Sequence, residues 1–587
     1  MVTELQKWRA EDRRAIKLLA YELYAATKRV ECRRFFRAGE ELRRRTARAE
    51  QRIDEPSDFL WLGTMIIVKN LAKSLGGKVI LENFSYQFPK KTKISLIGAN
   101  GVGKTTLLNM LCKLDEPDSG ELIIPRECVV GYLPQSPNEF PKKTILQECM
   151  SGAVALCSLQ EALDASLENM TQNYSEKTFD AYEKAEKAFA DSGGYALESD
   201  AKGILVGLGF ETAQFSESPH ILSGGWRMRL ELAKLLINNP NFLILDEPTN
   251  HLDLPSLLWL EQYLSDFQGT LLFVSHDRDF LNNISETTLH MSNGVIRVYN
   301  GNFDSFLQQK AQRTEQMHRE KVSLRKQQDH MQAFVDRFRA KATKAKQAQS
   351  RLKMIERLKE IEAKLDVSME TKEKRANFNI MVEKPSAKVV LTLDGAAIGY
   401  GENIINSGLS LKILREEKVA IIGANGIGKS TLLKSIVNEI PFVDGECVFG
   451  TNVKYGYYSQ EQLDILDAGK NVIENVLALA PNITRQQAYA ALGSLLIKED
   501  DSKKLVKVLS GGEKSKVALA GLLAQRNNFL ILDEPTNHLD MSSVEALAGA
   551  LNLYNGTVLV VSHNRAFINA FATRIFQMEK RRACGKA

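Results

Sequence analysis

At 587 residues the chain is too long for one hydrophobic core, and its length points to three or four domains. Apolar residues make up 44% and charged residues 25%, as in ordinary globular proteins, and no uninterrupted apolar stretch approaches the ~18–20 residues that span a bilayer, which excludes membrane-spanning helices. A net charge of +5 leaves any polyanion-binding surface to local clusters, and seven scattered cysteines without a C-x-x-C pair argue against zinc or a disulfide framework and for a reduced, cytoplasmic setting.

The stretch 1–64 holds 12 Arg and 3 Lys, whereas 65–587 holds 20 Arg and 42 Lys. The switch coincides with Met65, where a first strand is expected (Met65-Ile-Ile-Val-Lys-Asn-Leu). Residues 1–64 are therefore read as an upstream stretch that is not native to the protein, in preference to a basic nucleic-acid-binding extension. A first unit is expected over 65–302. It opens with Gly98-Ala-Asn-Gly-Val-Gly103-Lys104-Thr105, continues through Gln135, and carries an acidic, helix-like excursion near 155–200. It then reaches Leu222-Ser-Gly-Gly225, Asp246-Glu247 and His276.

Residues 302–384 contain no Gly and no Pro, where the chain average would place about seven. Lys, Gln, Arg, Glu and Ala dominate, all good helix formers. The expectation is a linker over 303–387 built of two long helices joined near 337–350. Between Arg337 and Lys359 lie nine basic residues against the single acid Glu356. Arg337, Arg339, Lys341, Lys344, Lys346 and Arg351 are the candidate RNA contacts, because clustered cations without interleaved acids suit a phosphate backbone.

The second unit, over 388–587, repeats the first. Gly423-Ala-Asn-Gly-Ile-Gly428-Lys429-Ser430 and Gln460 recur at an offset of 325; Leu509-Ser-Gly-Gly512, Asp533-Glu534 and His563 recur at 287. The difference between the two offsets falls entirely between the glutamine and the Leu-Ser-Gly-Gly element. Five elements repeated in order mark a duplicated ATPase.

Each motif supports a definite chemistry. The strand–loop–helix around Gly98, Asn100, Gly101 and Gly103, and around Gly423, Asn425, Gly426 and Gly428, points backbone N–H groups at phosphate oxygens, with Thr106 and Thr431 continuing the helix. Lys104 and Lys429 reach the β- and γ-phosphates, and Thr105 and Ser430 supply hydroxyls to Mg²⁺. Asp246 and Asp533 end apolar strands and suit the same Mg²⁺, while Glu247 and Glu534 suit activation of the attacking water. His276 follows Asp246 at the same spacing as His563 follows Asp533, and both histidines are read as sensors of the γ-phosphate. Ser223 and Ser510 likewise precede those aspartates at one common spacing. They head helices with Gly225 and Gly512 and can grip a γ-phosphate.

With these motifs the chain resembles an ABC-type ATPase, and the resemblance implies an α/β fold of two tandem P-loop nucleotide-binding domains joined by a long α-helical linker. It also implies that the two units face each other head to tail within one monomer. One ATP site would join Lys104, Thr105, Gln135, Glu247 and His276 with Ser510 and Gly512. The other would join Lys429, Ser430, Gln460, Glu534 and His563 with Ser223 and Gly225; Gln135 and Gln460 would also serve Mg²⁺. Asp-Glu-Pro-Thr-Asn-His-Leu-Asp in both halves (246–253 and 533–540) and the linker stretch from Asp336 to Arg351 narrow the resemblance to the ABC-F family. That family implies a soluble translation factor that closes on ATP, binds ribosomal RNA and tRNA near the exit site with its linker directed at the peptidyl-site tRNA, and releases on hydrolysis. The 155–200 excursion corresponds in some members to an arm that contacts the ribosome. An adenine-stacking aromatic is expected at a fixed distance before each phosphate loop; Tyr400 fills that place ahead of Gly423, but Leu75 holds it ahead of Gly98. The alternatives are the soluble ATPase subunit of a membrane transporter, which has no use for a long basic linker, and a nucleic-acid switch without hydrolysis, which has no use for Glu247 and Glu534.

Overall fold

A computed structural model describes residues 66–134, 143–250, 252–338, 350, 352–359, 362, 382–401, 403–459, 465–537 and 539–579. All belong to one unit, Met65–Ala587.

Short, continuous apolar runs build the centre of each half. β3 (Lys93–Ile97), β6 (Phe242–Asp246) and β7 (Thr270–Val274) are almost wholly buried, as parallel strands covered on both faces must be. With β5 (Val130–Leu133), β8 (Thr287–Ser292) and β9 (Val295–Asn300) they form a six-stranded sheet in the order β5-β6-β7-β3-β8-β9, antiparallel only at the β8–β9 pair. Beside it stands an antiparallel sheet of β1 (Ile67–Leu75), β2 (Lys78–Gln87) and β4 (Ser119–Ile123), ordered β2-β1-β4.

The second half repeats the plan. An antiparallel sheet orders β10 (Val389–Tyr400), β11 (Asn403–Leu414) and β13 (Asp444–Phe449) as β11-β10-β13. β12 (Lys418–Ile422), β14 (Tyr455–Tyr458), β15 (Phe529–Asp533), β16 (Thr557–Val561) and β17 (Arg574–Gln577) form a parallel sheet ordered β14-β15-β16-β12-β17. Each half buries two cores. One lies between the two sheets, with Leu96, Leu108 and Ile244 in the first half and Ile421, Leu433 and Ile531 in the second. The other lies under the helical side, around Leu205, Leu230 and Leu260, and around Leu492, Leu519 and Leu547. Burying one such side chain contributes about 1.5–3 kcal/mol.

In the first half, the helices Val154–Gln172 and Glu176–Asp191 pack on each other, and each buries a single side chain, Leu163 and Phe189. A capping box between Ser175 and Thr178 starts the second of them. The linker begins as a 36-residue helix, Phe303–Phe338, about 54 Å long at 1.5 Å per residue. Phe303 and Phe306 root it in the first half's core, Phe306 against His290 and Tyr299. Further along, Val335, Ile355 and Leu358 are buried, and Arg325 Nε and Gln328 Nε2 donate to the Glu362 carboxylate at 2.6 and 3.1 Å. The returning chain, helical over 352–359, thus runs back alongside the first helix.

Candidate active site between the cassettes

The strand order brings the chemistry to one edge. β7 lies between β3 and β6, so the phosphate loop after β3, Asp246 at the end of β6 and His276 just past β7 emerge side by side. β12, β15 and β16 do the same for the second half. Gly103 and Gly428 hold left-handed φ of 108° and 96° at the N-caps of the helices Lys104–Leu111 and Lys429–Ile436. A Cβ on Gly98 would stand 2.6 Å from the Met291 carbonyl oxygen, and one on Gly423 2.8 Å from that of Met578. The loop therefore tolerates no side chain where it turns against the sheet.

Lys104 Nζ donates to the carbonyls of Gly98 and Ala99 at 2.7 and 3.2 Å and to Asn100 Oδ1 at 3.5 Å. Lys429 Nζ does the same to Gly423, Ala424 and Asn425 at 2.8, 2.9 and 3.3 Å. Burial lowers the pKa of both lysines, against the opposing pull of Glu247 and Asp246 on one and of Glu534 on the other. Each ammonium is thus held inside its own loop, at the place where phosphate oxygens would be gripped. Thr105 Oγ1 donates to Asp246 Oδ2 at 2.7 Å, bringing a hydroxyl and a buried carboxylate together.

Glu247 and Glu534 both hold left-handed backbone, with φ of 54° and 46°. Such a conformation costs about 1–3 kcal/mol in a residue other than glycine. It is held by Glu247 N donating to Val274 O (3.0 Å) and Asn250 N to Glu247 O (3.2 Å), and by Glu534 N to Val561 O (2.9 Å) and Asn537 N to Glu534 O (3.2 Å). The turn aims each carboxyl inward. Both oxygens of Glu247 and Oε1 of Glu534 are buried without a hydrogen bond, as is Nε2 of His563. His276 Nε2 lies 3.1 Å from Glu247 Oε1, and His563 Nε2 lies 3.5 Å from Glu534 Oε1. Burial pushes both glutamates up to about 8 and both histidines down to about 3. At each contact burial thus disfavours the charged form of both partners.

The two halves meet through these same elements. Asp253 caps the helix Leu254–Asp266, and its Oδ2 accepts from the backbone N–H of Asn425, in the other half's phosphate loop, at 2.8 Å. Arg229 of the helix Gly224–Ile237 lies 3.8 Å from Asp253; at the matching positions Lys516, on Gly511–Ala524, lies 3.2 Å from Asp540. Asp540 and Lys516 act electrostatically on His276, and Asp253 and Arg229 on His563. The cleft between the halves is lined by Thr249, His276 and Asp277 from one side and Glu534, Thr536 and His563 from the other. This is a head-to-tail arrangement.

Ser223 and Ser510 are the N-caps of those two helices, with Gly225 and Gly512 in the first turn. Leu75 and Tyr400 end β1 and β10 in matching hairpins and are both exposed. Gln135, Gln460, Arg339, Lys341, Lys344, Lys346 and Arg351 lie outside the described residues, as does the stretch 1–64; Arg337 belongs to the linker helix. The motifs assign no role to Asp253, Arg229, Asp540 or Lys516. The aspartates stand in the sequence as the last letter of the repeated Asp-Glu-Pro-Thr-Asn-His-Leu-Asp, but that they cap a helix and face the other half is a tertiary fact.

The fold and these paired sites define a tandem ATP-binding cassette protein. The ABC transporter family model matches residues 81–250 and 406–537, and a companion model of the same description matches 289–378, across the linker. The putative ATP-binding protein YdiF of Bacillus subtilis is 39% identical over 87% of this chain and 79% of its own length. The probable ATP-binding protein YheS of Escherichia coli K12 is 35% identical over 88% and 79%, and ATP-binding cassette sub-family F member 3 of Rattus norvegicus 36% over 87% and 71%. Among solved structures, an archaeal ribosome recycling factor, aABCE1, shares the fold with a TM-score of 0.54 at 18% identity, over 87% of this chain and 88% of that one. The chain belongs to the ABC-F family, and both of its cassettes are ABC ATPase domains.

Proposed function

We propose that this protein is an ATP-hydrolysing ribosome factor, whose cassettes close on ATP, hold it on ribosomal RNA and tRNA, and release it after hydrolysis. The observation that carries the reading is the root of the linker. Asp304, in the first turn of the linker helix, accepts from Arg278 Nε and Nη2 at 3.1 and 2.7 Å, and its N–H donates to Asn282 Oδ1 at 2.9 Å. Arg278 and Asn282 belong to the helix Arg278–Ile284, which starts just past His276. A shift of the γ-phosphate sensor would pass through this root to a helix about 54 Å long that leads toward the basic stretch of the linker.

ATP entering the Lys104 site would draw the ammonium from its loop carbonyls to the phosphates, and Lys429 acts likewise. Among the described residues no three His, Cys, Asp or Glu side chains cluster as a metal site. Mg²⁺ would instead rest on Thr105, Asp246 and Gln135, or Ser430, Asp533 and Gln460, with nucleotide oxygens completing its shell, as suits a hard octahedral ion. When bound, it neutralises charge developing on the phosphates. Glu247 and Glu534, whose buried carboxyls stand beside His276 and His563, orient the attacking water and take its proton. His276 and His563 bond the γ-phosphate, and Ser510 with Gly512, or Ser223 with Gly225, close over it from the opposite cassette. Separation of phosphate from ADP removes the group that both cassettes grip, and they part. The linker's Arg337, Arg339, Lys341, Lys344, Lys346 and Arg351 provide the contact to RNA.

The test is sedimentation with ribosomes at several salt concentrations. The Glu247→Gln/Glu534→Gln chain, which binds ATP without cleaving it, should co-sediment, with affinity falling steeply as salt rises. Adding Lys341→Glu, Lys344→Glu and Lys346→Glu should abolish co-sedimentation while ATP affinity stays within about twofold. Failure of the Gln/Gln chain to co-sediment would overturn the reading and favour an ATPase subunit of a membrane transporter, while retained binding with a flat salt response in the triple variant would remove the linker as the RNA contact.

A further inference from the structure

The two cassettes differ at the residue that follows the Leu-Ser-Gly-Gly element. In the second cassette Ser510 and Glu513 form a closed capping box. Ser510 Oγ and Ser510 N both donate to Glu513 Oε2, at 2.7 and 2.8 Å, and Glu513 N donates back to Ser510 Oγ at 3.4 Å. In the first cassette the matching residue is Trp226, whose ring turns inward, 4.5 Å from the Arg229 guanidinium and edge-on to Phe210 at 4.9 Å. Ser223 makes no side-chain cap bond there.

We propose that Glu513 competes with the γ-phosphate of ATP for the amino end of the helix Gly511–Ala524, so that the Lys104 site needs more ATP to close than the Lys429 site. This rests on the composite-site reading, in which Ser510 faces the nucleotide held by Lys104.

The physical argument is one of two anions and one set of donors. A helix N-terminus carries about half a positive charge and presents unpaired amides to an anion. In a capping box the glutamate is that anion, already bonded to the serine hydroxyl that the γ-phosphate requires. Closing on ATP therefore means either expelling the carboxylate or holding two negative groups at one helix end. Lys504, a cation in the field of Glu513, is itself held by Asp501 at 2.7 Å, so it does not neutralise the conflict. On the first cassette's helix Gly224–Ile237 the tryptophan carries no charge, and its ring is anchored away from the amides by Arg229 and Phe210. ADP lacks the contested phosphate, so Glu513 discriminates between ATP and ADP only at closure.

The experiment uses the full chain with Glu247→Gln and Glu534→Gln, carrying one fluorophore in each cassette to report closure as ATP is titrated. Closure needs both sites, so its midpoint reads the weaker one. E513Q keeps the capping geometry and removes the charge; it should lower the half-saturating ATP concentration about three- to tenfold, with ADP affinity unchanged. E513A, which removes charge and cap together, should lower it as well. An unmoved midpoint in E513Q, or an equal shift for ADP, would overturn the proposal, and so would a raised midpoint in E513A, which would assign the effect to the cap. S510A in the same background separates the two levels of inference. If it weakens closure while E513Q does nothing, only the role of Glu513 falls; if it leaves closure unchanged, the composite-site reading falls with it.

Discussion

At the scale of single residues, the site is governed by burial. Glu247 and Glu534 are raised to about 8, burial being the largest cause, and His276 and His563 are lowered to about 3 for the same reason. A general base works only when deprotonated, so kcat/KM for ATP, which reports the free enzyme, should climb between pH 7 and 9 with an apparent midpoint near 8. The Gln/Gln variant should show no turnover at any pH in this range; a flat profile in the unsubstituted chain would exclude these glutamates as the bases. Stability carries the same signature. A carboxyl raised above its unfolded value contributes stability that is present below the ordinary glutamate range and lost as pH rises through about 8. The depressed histidines act oppositely, contributing above the ordinary histidine value and losing that contribution as pH falls toward 3. Urea midpoints of the unsubstituted chain should therefore decline between pH 5 and 8 more than those of the Gln/Gln variant. Spacing in the sequence singled these residues out as candidates; the left-handed backbone that aims the glutamates inward was not legible there, because Asp-Glu-Pro-Thr carries no glycine to announce it.

At the scale of elements, the strands were the easiest part to read. Phe242-Leu-Ile-Leu-Asp246 and Phe529-Leu-Ile-Leu-Asp533 are continuous apolar runs that end on a carboxylate, and both are buried strands. The long linker helix was equally plain from a glycine- and proline-free stretch. Less plain was how a hairpin places its last residue. Leu75 closes onto Lys78 as Tyr400 closes onto Asn403, and both side chains stand half-exposed, at 47% and 56%. The two hairpins thus present one aliphatic and one aromatic side chain at matching positions. Stacking on a base is worth about 1–3 kcal/mol, so Leu75→Tyr should tighten ATP binding at the Lys104 site about tenfold. Equilibrium binding of a fluorescent ATP analogue, with the other site disabled by Lys429→Ala, measures it; an unchanged dissociation constant would mean another surface holds the adenine. This change acts on ATP and ADP alike, which separates it from Glu513.

At the scale of the molecule, the two cassettes are alike in plan and unlike where they touch. Arg565, on the helix Arg565–Phe571 of the second cassette, crosses to Glu261 of the first, with Asp277 at 3.5 Å and Asp279 at 3.7 Å. Its counterpart at the offset of 287 is Arg278, which turns instead to Asp304 on the linker. One arginine therefore joins the cassettes, and the other joins a cassette to the linker. Glu261 is pushed up chiefly by burial and brought back by Arg565, so removing the guanidinium strands buried carboxylates. Arg565→Ala should cost about 1–3 kcal/mol of stability, the range for leaving buried acceptors unpaired, and lengthen the distance between cassettes in the ATP-free protein, with Arg565→Lys intermediate. Thermal unfolding together with energy transfer between cassette labels would show it; an unmoved distance would leave Asn425–Asp253 as the principal join.

By itself the sequence determined that the chain carries one set of ATP-binding-cassette motifs twice, on either side of a glycine- and proline-free linker. Phosphate loops, carboxylate pairs and strand-forming runs are local patterns, written in consecutive residues and repeated at constant spacing. Only the tertiary structure decided which residues of one cassette answer those of the other. The Asp253–Asn425 bond spans 172 positions and the Arg565–Glu261 bond spans 304. Separations of that size leave no periodicity in the chain, since such contacts arise from how two finished sheets present their edges. The asymmetry between Trp226 and Glu513 was visible as letters, but its consequence appeared only when one side chain folded inward and the other bonded the serine beside it.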